Sequence, residues 1–247
     1  MLIASVLGAG LALGSPSLRA LAADLTVTGG ATVTQDVQGQ NGIMTRVTVD
    51  QGSIWKGNAN GAMGNDIWMN VSESSKWIGS QNNVMGHGNA TITDSTWDGD
   101  LAVTGDANSG RWAQSEVALN NSAWKGSNRT VYGSTTVQLG NSSYEGPMSV
   151  ESGSLVIYAD SSSIKGDTTL KGPNGYWADL QGRLSNSQWT GNSSLDNGQF
   201  QMSMENNSTG VGNISGVNSG IYIGVDHSSW KGNLSSTMSG DNHNSNV

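Results

Sequence analysis

Val117-Ala118-Leu119-Asn120-Asn121-Ser122-Ala123-Trp124-Lys125-Gly126 is followed by Val137-Gln138-Leu139-Gly140-Asn141-Ser142-Ser143-Tyr144-Glu145-Gly146, the same pattern displaced by 20 residues. Each copy opens with alternating apolar and polar residues, as a half-buried strand does, and then passes an Asn-Ser corner into an aromatic-x-Gly triplet. Working outward, the triplet returns at Trp55, Trp77 and Trp97 upstream, and at Ile164, Trp189, a degenerate Gly210 and Trp230 downstream. Successive anchors lie 22, 20, 27, 20, 20, 25, 21 and 20 residues apart, so twenty is the unit and the longer intervals carry insertions. Further alternation appears in Leu155-x-Ile157 and Ile221-x-Ile223-x-Val225, and no window sustains a helical period.

Twenty residues hold two or three short strands and their turns, too little to bury an apolar face alone. Stacked on its neighbours at about 4.8 Å per step, each unit pairs in parallel with the next and buries a continuous core. The expected fold is therefore all-β: a right-handed, single-stranded parallel β-helix of about nine to eleven coils of ~20 residues, occupying residues 24–240. Inside it, Trp55, Trp77, Trp97, Trp124, Trp189 and Trp230 are expected to form an offset-stacked column, with Tyr144 and Ile164 as smaller fillers. The motif Gly is expected to let the backbone turn sharply beside the ring, and the Asn-Ser corners to form amide ladders between coils.

Composition fits this reading. The 247 residues include 35 Gly, 3 Pro and no Cys, so order has to come from stacking rather than cross-links. Nine Trp and regularly placed Val, Leu and Ile argue against disorder, although charged residues make up only 12%. A net charge of −8, with no concentration of Lys or Arg, gives a nucleic acid no electrostatic footing. Residues 1–23 read as a secretory signal, with an apolar run from Met1 to Leu13 and small residues around Ala20-Leu21-Ala22-Ala23. That run is too short to span a bilayer, and residues 241–247 read as a polar tail.

The strand, Asn-Ser corner and aromatic-x-Gly repeats, as in Val117 to Gly126 and Val137 to Gly146, resemble the passenger domains of Gram-negative type V autotransporters. The likeness is to the pertactin-like and self-associating adhesin groups, and it covers about residues 24–240. It implies an exported protein at the cell surface, in the outer membrane or outside a Gram-negative cell, and a non-enzymatic, adhesive role. Its partners would be host or bacterial cell-surface glycan or protein, or another copy of itself. Because the sequence ends at Asn244-Ser245-Asn246-Val247 without alternating membrane strands, it reads as a passenger truncated before the translocator barrel.

No catalytic set, metal site or cofactor is expected. Asp94, Asp98 and Asp100, the densest acidic group, read as solvated turn carboxylates, and His87, His227 and His243 are too dispersed for metal-ligand spacing. The rival reading is a carbohydrate-active β-helix, a polysaccharide lyase or hydrolase. It would need a groove lined by two or more carboxylates beside the insertions near residues 105–112 and 172–177.

Three Trp stand outside the motif, and all fall in the longest intervals: Trp68, Trp112 and Trp177. Strand parity turns them outward. With Tyr176 and Arg111 they are the candidate contact residues for a glycan or a partner surface. The competing account is that they staple their own loops onto the rod.

Overall fold

The computed structural model describes residues 4–7, 20–21, 24–39, 43–61 and 63–237. These residues build three parallel sheets of eleven, ten and eleven strands, and each coil contributes one strand to each sheet in turn. The chain is thus a parallel β-solenoid, and the one helical turn among the described residues is a 3-10 turn at Pro173–Gly175. No helix among them is long and apolar enough to cross a membrane.

The three sheets differ in strand length and contents. The long sheet has strands of up to eight residues, such as Ala113–Asn120, Gly133–Gly140 and Gly153–Asp160. Three-residue strands such as Ala123–Lys125 and Ser143–Glu145 form a second sheet, here the indole sheet, because each centres on the motif aromatic. A third sheet holds strands such as Asn128–Val131 and Met148–Glu151. Ala4–Leu7 pairs with Leu25–Thr28, and Ala20–Leu21 with Val37–Gln38. The rest of the 1–23 segment read as an export signal, and the 241–247 tail, lie outside the described residues.

Side chains alternate along every long strand. Val117, Leu119, Val137, Leu139, Leu155 and Ile157 point inward and are buried, as the period-two pattern requires. On the outside, Arg183–Glu205 at 2.8 Å and Lys165–Glu145 at 3.2 Å pair adjacent coils. Exposed as they are, such pairs contribute at most about 1 kcal/mol each.

Trp55, Trp77, Trp97 and Trp124 form a true stack, with centroid separations of 5.3, 4.5 and 4.4 Å and interplanar angles of 16°, 5° and 5°. Each indole N–H donates to a main-chain carbonyl of the preceding coil: Trp77 to Gly57, Trp97 to Gly79 and Trp124 to Gly99, at 2.8–2.9 Å. The expected column changes character beyond Trp124. Tyr144 meets Trp124 edge-on at 63°, and Ile164 continues the position without a ring. Gly210 stands between Trp189 and Trp230, so no indole lies between them. The Trp230 ring occupies the space a Gly210 side chain would need, with a ring carbon 2.2 Å from where its Cβ would be. Phe200, on the long sheet, packs edge-on against both Trp189 (6.2 Å) and Trp230 (6.3 Å) and links the two indoles.

The motif glycine lies close to the ring, as at Gly57, where a Cβ would be 2.9 Å from the Trp55 indole nitrogen, and it also serves contact between coils. A Cβ on Gly126 would lie 1.9 Å from the carbonyl oxygen of Gly99, and one on Gly146 equally close to that of Gly126. The column is glycine because consecutive coils touch backbone to backbone there, with φ of 153° and 156°, a region that other residues rarely enter.

Two ladders of side chains lace the corners. On the corner entering the indole sheet, the backbone N–H of each motif Ser donates to the hydroxyl of the next coil's Ser. The run passes from Ser53 through Ser75, Ser95, Ser122, Ser142, Ser162, Ser187 and Ser208 to Ser228 at 3.0–3.2 Å. Serine hydroxyls carry this ladder, and beside it corner amides also bond between coils, Asn141 donating to the Asn121 side-chain oxygen at 2.7 Å and Asn186 to the Ser161 hydroxyl at 3.2 Å. The neighbouring Asp94, Asn121, Asn141 and Asn186 also supply the left-handed turn, each with φ of 49°. On the corner leaving the indole sheet the direction reverses. Side chains of Asp36, Asn58, Asp100, Asp167, Asn192 and Asn213 accept from the backbone N–H of the following coil at 2.7–3.0 Å.

Candidate functional site

The corner between the third sheet and the long sheet is where the chain inserts. At 106–111 the insertion closes as a small loop: the Asp106 N–H donates to the Arg111 carbonyl at 2.8 Å and the Arg111 N–H to the Asp106 carbonyl at 3.1 Å. Hydrogen bonds from Ser109 and from the Asn108 N–H hold the Asp106 carboxyl below its usual range. At 172–177 the chain folds over Pro173–Gly175, and the Tyr176 N–H donates to the Pro173 carbonyl at 3.1 Å.

Register places the residues that leave these loops in one row. Ala113 lies opposite Gly133, and Gly153 opposite Ala178, so Trp112, Tyr132, Ser152 and Trp177 occupy equivalent corner positions in successive coils. Trp112 stacks on Tyr132 at 4.9 Å and 28°, and Tyr176 meets Tyr132 edge-on at 5.6 Å. The rings therefore tie both insertions to Tyr132, on one of the two coils between them. They do so without being covered: Trp112 is 51% exposed, Tyr176 44% and Trp177 52%. Both accounts of these aromatics thus have a physical footing here, since the cluster staples the loops and still shows its faces to solvent.

The ridge continues toward the N-terminal coils through exposed Val84, Met63, Met44 and Ile43 on the same corner. Arg111 belongs to it, donating from Nη1 to the Met63 sulfur at 3.1 Å. Trp68 does not. It is exposed on the outer face of the long sheet, between Arg46 and Asn89, in the row of Glu116, four positions along the strand from the row of Trp112. The expected grouping of Trp68 with Trp112 and Trp177 is corrected accordingly. Tyr132 is the member that the sequence reading missed. Its signal is the position just before Gly133, but the 106–111 loop hides its alignment with Trp112.

No family model, curated protein or solved structure matches the chain.

A second surface feature lies on the outer face of the long sheet, a shallow groove of about 620 Å³ floored by Ala118 and Gly140 and walled by Tyr158, Asp160, Arg183 and Glu205. Arg183 donates to a Glu205 carboxylate oxygen from both Nε (3.0 Å) and Nη2 (2.8 Å). Beside the insertions themselves, Asp106 lies in the first loop with hydrogen bonds from its own turn, and Asp179 and Asp196 flank the second. Among the described residues no three His, Asp or Glu side chains gather as metal ligands.

Proposed function

We propose that the protein is an exported, non-enzymatic adhesive rod of the autotransporter-passenger kind, contacting a cell-surface glycan or protein through the aromatic edge of Trp112, Tyr132, Tyr176 and Trp177. The observation that carries this reading is the exposure of Trp112, Tyr176 and Trp177 on one corner, the first two joined across coils through Tyr132. Rigid rings lose little entropy on contact, and an open apolar edge suits a recognition surface. The solenoid supports the reading by seating these rings beside the starts of long-sheet strands in parallel register. Replacing Trp112, Tyr176 and Trp177 together with Ala is expected to abolish attachment of protein-coated beads to epithelial and bacterial cells, with thermal unfolding nearly unchanged. Undiminished attachment would sink the adhesive reading.

The second reading, a carbohydrate-active β-helix, draws on the groove that holds Asp160 and Glu205. Release of reducing ends or unsaturated products from a panel of polysaccharides would favour it over adhesion.

A further inference from the structure

We propose that the groove on the outer face of the long sheet binds a linear, uncharged oligosaccharide lying along the rod axis. This site is on a different face from the aromatic edge and does not depend on it.

The shape comes first. Outward rows run from Thr91 through Ala118, Gln138 and Tyr158 to Arg183, and beside them from Asn120 through Gly140 and Asp160 to Ser185. Ala118 and Gly140 are the small members of these rows, and the surface dips over them. The groove crosses six coils, about 24 Å at one strand spacing per step. A pyranose unit is close to one such step in length, so successive sugars along the axis would each face one coil's pair of outward residues.

Chemistry then selects the occupant. Asp160 and Glu205 against Arg183 leave the groove with one net negative charge, and Arg183 is already engaged by Glu205. Arg183 is the single cation lining the groove, so a uronate, sulfate or phosphate there would compete with the Glu205 carboxylate for it. The exposed Tyr158 ring offers a flat face to the C–H side of a sugar, while Gln138 and Asn120 offer amides that both donate to and accept from hydroxyls. Asp160 adds an acceptor. A peptide could not add as a strand, because the strands beneath the groove are already paired on both sides.

Calorimetric titration of the protein with cellohexaose and chitohexaose, and with hexagalacturonate for comparison, tests the proposal. At least one of the two uncharged hexasaccharides is expected to bind. Tyr158→Ala should weaken that binding about tenfold, roughly 1.4 kcal/mol, while Tyr158→Phe retains it. Gly140→Arg supplies an independent variant, because the nearest atom to its new Cβ is 3.7 Å away, so the fold has room while the groove floor is filled. It should abolish binding with the melting temperature unchanged. The proposal is overturned if neither uncharged hexasaccharide binds, if Tyr158→Ala and Gly140→Arg bind as the parent does, or if hexagalacturonate binds more tightly. Since the probe is a free oligosaccharide and not a cell, such a failure is distinguishable from failure of the adhesive edge.

Discussion

The indole N–H of Trp97 donates to the carbonyl oxygen of Gly79, one coil away, at 2.8 Å. Trp189 occupies the same position further along the rod, yet its N–H is buried with no acceptor. Replacing either indole with phenyl removes ring area, but only Trp97→Phe also deprives a buried carbonyl of its donor. Trp97→Phe is therefore expected to destabilise the protein by about 1 kcal/mol more than Trp189→Phe. Urea unfolding of the two variants measures the difference, and equal losses would show that the hydrogen bond contributes nothing net.

Phe200 links Trp189 and Trp230 across the coil that carries Gly210. Phe200→Ala should cost about 3–5 kcal/mol, since truncating a buried aromatic leaves a cavity that neighbours fixed in a ladder cannot collapse into. Near-ultraviolet circular dichroism should change with it, because Trp189 and Trp230 both lose their edge-on partner. An unchanged spectrum would contradict this packing role.

Asn128 is 1% exposed, and neither its side-chain Oδ1 nor its Nδ2 has a hydrogen-bond partner. It borders an internal void, shared with Trp124, Tyr144 and Ile164, that has no room for a water molecule. Its stacked neighbours are Leu101 and Met148. Asn128→Leu is accordingly expected to raise stability by about 1–3 kcal/mol, the usual penalty for an unsatisfied buried polar group. A urea midpoint at or below the parent's would refute the assignment.

Burial raises the Asp179 carboxyl above its ordinary value of 3.8. The folded chain then binds this proton more tightly than the unfolded chain does. The associated stability is fully present below the unfolded value and is lost as pH rises through the higher folded one. Asp179→Asn should therefore gain stability over the parent as pH rises above the ordinary value of 3.8, by a small amount because the group is partly exposed and screened. A parent that gains on the variant over that rise would reverse the sign.

Much of the architecture could be read from the anchor spacing. A repeat of about twenty residues cannot bury its own face, and alternation through Val117, Leu119, Val137 and Leu139 dictates strands, so stacked parallel coils follow. What the spacing could not show is which side chains meet across the interior. Phe200 lies outside the motif, and its contact with Trp189 and Trp230 depends on how two sheets face each other. The motif glycine was readable as an invariant feature of the repeat but not as a point of contact between backbones, because that contact exists only between coils. At the candidate edge, strand parity is enough to turn Trp112 and Trp177 outward. Joining them to Tyr132, and separating Trp68, requires the register, and the loops at 106–111 and 173–175 conceal it.

The stack between Trp97 and Trp124 stays at 4.4 Å and 5° although 27 residues separate them, seven more than the basic repeat. The spine is thus indifferent to what is hung on that corner. Such a molecule resembles a rack: fittings of different length can be exchanged or grafted at one slot after another, and the frame that carries them keeps its dimensions.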